Sequence, residues 1–177
     1  MTYKESLDIA FLKTDSDASD FDSKLFPVLA NEAQLYIAKH GTHIVRKLEI
    51  EADSVPYKIK LPDDFYRVAL QGMVHKDDEF MGADYHLIED GYAVIDEKGV
   101  FDFYYYALPT DITKLSDEEL ETYEYEIAGD THVAIPAYIG YQLVKSDDVQ
   151  LAQVLMDEWN RYLSLFDDPV KTIRRRI

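Results

Sequence analysis

The spacing of apolar and polar positions changes character twice along the 177-residue chain, and each change marks a different kind of element. Over residues 3–12 the apolar side chains Tyr3, Leu7, Ala10 and Phe11 recur at helical spacing, after which Asp15, Ser16, Asp17 and Ser19 interrupt them. The spacing predicts a short helix followed by a polar turn. Leu25, Leu29, Ala33, Tyr36 and Ile37 then recur at intervals of three and four, with Asp20 or Asp22 as N-cap, Pro27 in the first turn and Gly41 as the stop. A second, longer helix follows from that pattern.

Beyond Gly41 the runs shorten. Val45, Leu48 and Ile50, then Tyr57, Ile59 and Leu61, stand in segments bounded by polar or proline-containing punctuation, which predicts strands. Pro62, Asp63 and Asp64 make a turn before an apolar stretch at 65–74, and a polar loop at 76–84 leads to a strand at 85–88. Two hairpin signals, Glu89-Asp90-Gly91 and Asp96-Glu97-Lys98-Gly99, enclose residues 92–95 and precede 100–108. An antiparallel meander is predicted. Its last strand is aromatic on both faces over part of its length, so it needs cover on both sides.

Ser116 and Glu119 have capping-box spacing at the start of an acidic stretch, predicting a short helical turn that runs into a strand near 123–127. From Thr131 the helical period returns, with Pro136 early enough to be tolerated, and Ser146, Asp147 and Asp148 break and recap the chain. The final helix carries Leu151, Leu155, Trp159, Tyr162, Leu163 and Phe166 on one stripe before Asp167, Asp168 and Pro169. Together these elements predict an α+β fold: a helical bundle, made of N-terminal helices plus a C-terminal helical hairpin, with an inserted antiparallel β meander. No repeat and no long linker divides the chain, so residues 1–177 read as a single domain.

Composition narrows the function. A formal charge of −17, from 35 acidic against 18 basic side chains, disfavours general attraction to nucleic acid, because phosphate binding rests on Lys and Arg. With no cysteine there is no disulfide framework, thiolate metal site or thiol nucleophile. Residues 1–12 lack a signal-peptide pattern and no stretch approaches the apolar length of a membrane span, so a soluble, untargeted chain with no membrane partner is expected. Charge is unevenly placed. Lys171, Arg174, Arg175 and Arg176 fall in the last seven residues, leaving 14 basic against 35 acidic side chains, a charge of −21, in the preceding 170. Residues 171–177 thus form a basic C-terminal tail, and Lys171, Ile173, Arg174, Arg175, Arg176 and Ile177 are the candidate partner-binding residues.

Catalytic chemistry finds no foothold. The histidines at 40, 43, 75, 86 and 132 are scattered, only His40 and His43 fall near one helical face, and Gly41 separates them. No HExxH, glycine-rich phosphate loop or GxSxG occurs. Acidic pairs at Asp63/Asp64, Asp77/Asp78 and Asp147/Asp148 lie where turns and caps use them. No catalytic, cofactor-binding or metal-ligating residue is assigned, and no enzyme is expected. Fourteen tyrosines, including the run Tyr104 to Tyr106 and the pair Tyr138 and Tyr141, fit core and half-buried sheet, with some left for interfaces between subunits.

The carboxy-terminal 80 residues carry a family pattern when taken as one string. Tyr105-Tyr106-Ala107-Leu108-Pro109-Thr110-Asp111 closes the aromatic strand, an acidic stretch follows, and then comes Val133-Ala134-Ile135-Pro136-Ala137-Tyr138-Ile139-Gly140-Tyr141-Gln142-Leu143. Leu151-Ala152-Gln153 and Glu158-Trp159-Asn160-Arg161-Tyr162 mark the last helix. This order resembles the head-to-tail connector (adaptor, neck) proteins of tailed bacteriophages, with weaker matches at Lys60-Leu61-Pro62-Asp63-Asp64-Phe65 and Phe26-Pro27-Val28-Leu29. The resemblance implies a structural virion protein made in the bacterial host cytoplasm. It implies a homo-oligomeric ring, typically of twelve subunits, in the neck between the portal protein and the downstream neck, stopper or tail protein. DNA would pass through its lumen without specific binding, and a terminal segment would extend along the portal. A competing reading from charge alone is an acidic inhibitor or DNA mimic that binds a basic partner.

Overall fold

A computed structural model describes residues 1–89 and 91–166. The fold is mixed α+β with antiparallel sheets, and the chain divides into two compact units, one of residues 1–44 with 109 onward and one of residues 45–108. Among the described residues there are five α-helices: α1 (Tyr3–Thr14), α2 (Leu25–His40), α3 (Asp117–Thr122), α4 (Ile135–Val144) and α5 (Val149–Leu165). Seven strands fill the second unit: β1 (Ile44–Ala52), β2 (Tyr57–Lys60), β3 (Phe65–His75), β4 (Asp78–Gly82), β5 (Tyr85–Ile88), β6 (Tyr92–Ile95) and β7 (Gly99–Ala107).

The helical unit starts and stops where side chains satisfy free backbone groups. Thr2 caps α1 in a capping box with Glu5, and Ser116 does the same for α3 with Glu119, as its spacing predicts. Gly41 ends α2 and Asp148 caps α5 through the Leu151 amide at 2.9 Å. The start of α2 differs from expectation. Its N-cap is Lys24, which makes no side-chain cap, and Asp22 instead accepts from the Lys24 amide within the preceding turn. Before α4 the chain first winds as a 3-10 turn at Gly129–Ala134, and Pro136 then enters the first turn of α4, where a missing amide costs nothing.

The core of this unit joins faces of all five helices around Ile37, Ile112, Ile135, Ile139, Leu155 and Trp159. Helices α1, α4 and α5 pack closely at Gly140, where an added Cβ would lie 3.2 Å from Leu155 Cδ1 and 3.3 Å from Thr14 Cγ2. Glycine is what allows that approach. Across the same packing, Lys13 reaches both carboxylate oxygens of Glu158 at 2.8 and 2.9 Å. The strand expected near 123–127 does not form. Tyr125 and Ile127 turn into the helical core, and backbone pairing is limited to one bridge between Thr2 and Glu124.

In the second unit the strands make two sheets, ordered β1-β7-β3-β4 and β2-β6-β5. Only β3–β4 and β5–β6 pair as sequence neighbours, so the order departs from a simple meander. The turn at residues 96–98 carries the chain from one sheet to the other and closes no hairpin. Gly91, with φ at +75°, does close the β5–β6 hairpin. Strand β7 is central and covered on both faces, as its composition requires: Phe101, Phe103 and Tyr105 are buried on one, Asp102 on the other. The register of β3 against β7 shifts between Val68 and Met73, where Gly72 adopts φ +63°. Strand β4 stands inside the stretch expected as a loop. Asp78, Phe80 and Met81 are all exposed, so no alternation marks it. No helix among the described residues is long and apolar enough to cross a membrane.

Candidate functional site

The helical unit is organised around polar side chains that its helical pattern conceals. Ser6 is fully buried on α1, with Oγ 2.6 Å from the Tyr3 carbonyl and 2.7 Å from the Tyr125 hydroxyl. On α2, Asn31 and Gln34 sit one turn apart among Ala30, Ala33 and Ile37. Gln34 Nε2 donates to Asn31 Oδ1 at 2.9 Å and to the Thr110 carbonyl at 2.8 Å, and its Oε1 accepts from the Tyr123 hydroxyl at 3.0 Å. Asn31 Oδ1 also accepts from the Ile112 amide. These bonds tie the irregular segments at 110–112 and 123–125 to helices. Polar residues on an otherwise apolar face were the only sequence signal for them. Ser6→Ala should therefore lower unfolding free energy by about 1–3 kcal/mol in urea titrations, since it leaves the buried Tyr125 hydroxyl unpaired. Tyr125→Phe should cost less, because Ser6 keeps the Tyr3 carbonyl.

Burial pushes the Tyr3 and Tyr125 phenols well above the usual tyrosine range. Tyr138 is pushed up to about 12, first by burial and then by its 2.9 Å hydrogen bond to Glu32, which holds the phenol neutral. In the unfolded chain these groups ionise near 10, so they support the fold fully below pH 10, and that support is lost as pH rises from 10 toward 12. Denaturation midpoints measured across that window should fall steadily, and Tyr138→Phe should flatten the slope.

The histidines are dispersed into separate local roles. His40 lies against the Tyr36 ring at 4.6 Å, His43 Nδ1 sits 2.7 Å from the Ala38 carbonyl, and His132 Nε2 sits 2.9 Å from the Ile127 carbonyl. In the second unit the His75 ring lies tilted 4.8 Å from that of Phe101 and approaches Glu97, while His86 meets Asp96 at 3.1 Å. The described residues contain no group of three His, Asp or Glu side chains placed to hold a metal. The acidic pairs also separate. Asp63 meets Lys60, whereas Asp64 meets Arg46 and accepts from Tyr105; Asp78 accepts from the Phe80 amide, and Asp148 caps α5. The residues expected from the sequence to bind a partner, Lys171, Ile173, Arg174, Arg175, Arg176 and Ile177, lie outside the described residues.

Two surface features remain. A cavity of about 470 Å³ opens between α1, the start of α2 and α3, with Leu7, Phe26, Leu115 and Leu120 in its lining and the exposed Lys4 and Lys24 on its rim. In the second unit Phe80, on β4, exposes 99 % of its surface, and Met81 beside it exposes 53 %. Among the described residues, neither the cavity lining nor the strand brings together a nucleophile, a general base and an orienting group. Phe80 thus stands on a strand where the polar stretch predicts a loop, and the cavity is lined by residues far apart in the chain. No family model matches the chain, and no curated protein matches it.

Proposed function

We propose that this chain is a non-enzymatic structural protein of a phage neck. Its helices form a bundle whose copies assemble into a ring, typically of twelve subunits, between the portal protein and the next neck or tail protein. The observation that carries the reading is the terminal pair α4 and α5. Much of the string that resembles the connector family falls in these two helices, which pack as one hairpin around Trp159. Composition supports it in two further ways. A strongly acidic body lines a DNA channel without gripping phosphates, since like charge repels and no counterion release rewards contact. The basic residues 171–177 find their complement on an acidic surface of the portal.

Purified chain should join rings of the portal protein from the phage that encodes it. A chain ending at residue 170 should melt at the same temperature but bind those rings several-fold more weakly. Equal binding by the truncated chain removes the tail from the account, and no binding by the full chain removes the portal. The charge of −17 favours one second reading, an acidic inhibitor or DNA mimic. That protein would stay monomeric and hold a basic partner with steep salt dependence.

A further inference from the structure

We propose that Phe80 of one copy seats in the cavity between α1, α2 and α3 of a second copy, joining subunits head to tail; the contact rests on the self-assembling reading above. Phe80 is the most exposed large apolar side chain among the described residues. Water contact over 99 % of a phenyl ring is unfavourable for a monomer, and Met81 extends the apolar surface. The ring is presented rather than free. Asp78 Oδ1 accepts from the Phe80 amide at 3.0 Å, and β4 pairs with β3 through Val74 and His75. Strand β4 is also the edge of its sheet, a position that proteins normally protect with charge or cover.

The cavity offers the complementary half. Its volume of about 470 Å³ is ample for a phenyl ring with a neighbouring side chain, and Leu7, Phe26, Leu115 and Leu120 supply the apolar part of its lining. Charge selects the occupant. Lys4 and Lys24 on its rim make no ion pair with any described residue, although the chain holds nearly two acids for each base. The turn leading into β4 and the start of that strand place the exposed Asp77 and Asp78 three and two residues before Phe80. Asp117 and Glu121 border the same cavity, so the mouth is bipolar and admits the acidic turn from its lysine side only. Knob and hole belong to different units of the chain, so every copy offers one of each. Joined head to tail rather than as a reciprocal pair, the contact is heterologous, and repetition gives a ring where the rotation closes.

The test replaces Phe80 with the photoreactive benzoylphenylalanine in the full chain, mixed with isotope-labelled copies and irradiated. Cross-links should run between chains, onto peptides containing Leu7, Phe26 or Leu120. Cross-links within one chain, onto other surfaces, or absent at every concentration reached would overturn the contact. A cavity that takes only a small molecule gives that last result. In parallel, Phe80→Ser should weaken self-association about tenfold or more in sedimentation velocity, with melting unchanged. Lys4→Glu with Lys24→Glu should weaken it too, and adding Asp77→Lys with Asp78→Lys should restore part of the loss. Undiminished association of Phe80→Ser overturns the contact. Rings that persist with cross-links elsewhere would sink the contact and leave the ring; cross-links in the cavity of open chains would do the reverse.

Discussion

Trp159→Ala is expected to lower the unfolding free energy of the helical unit by about 3–5 kcal/mol, read as a shift of the urea midpoint at constant slope. Trp159 is 4 % exposed, and its ring lies 5.0 Å from that of Tyr138 on α4 and 5.7 Å from that of Tyr36 on α2. Truncation therefore opens a void where three helices meet, and close packing on all sides keeps the neighbours from filling it. As Trp159 is the only tryptophan of the chain, the variant is followed by far-ultraviolet circular dichroism rather than by fluorescence. Loss of assembly with unchanged melting would move Trp159 from core to interface.

Phe103→Ala should cost a similar amount, about 3–5 kcal/mol, in the strand unit. The ring is fully buried on β7 and is surrounded by Phe65 at 6.1 Å, Tyr85 at 5.9 Å and Tyr105 at 6.1 Å, distances at which aromatic pairs add to area burial. Amide hydrogen exchange over residues 45–108 is the measurement, because it reports opening of that unit separately. Faster exchange in β3 and β7 is the expected result. Unchanged protection there would mean that the aromatic cluster does not hold the sheet.

The elements whose apolar period is long and regular were legible in the sequence. Helix α5 follows its Leu151–Leu155–Trp159 stripe, and α3 begins at the Ser116 capping box because that signal is local. Strand pairing was less legible. β7 pairs with β3, its partners lying 26 to 42 residues apart, and that choice is made by burial of Phe101 and Phe103 against Met73 and its neighbours, not by the turns on either side. The turn at 96–98 has hairpin composition, yet burial assigns its flanking strands to different sheets. Strand β4 was missed because Asp78 and Phe80 face water, where no alternation is enforced. The same exposure makes Phe80 informative once the fold is known.

The candidate surfaces show the same division. The basic run at 174–176 is plain in the sequence, since it contrasts with the acidic chain before it. The cavity between α1, α2 and α3 was not, because Leu7, Phe26, Leu115 and Leu120 come together only through the fold. Buried Ser6, Asn31 and Gln34 look like ordinary interruptions of helical stripes until Tyr125, Thr110 and Tyr123 are seen to be their partners. Each case turns on contacts between segments far apart in the chain, which local spacing does not encode.

Mass photometry of the purified chain, alone and with rings of its portal protein, tests the central claim most directly. The account predicts a closed assembly, near 246 kDa for twelve copies of the 20.5 kDa chain, that forms alone or on the portal. A stable 20.5 kDa monomer that never joins a portal would contradict it.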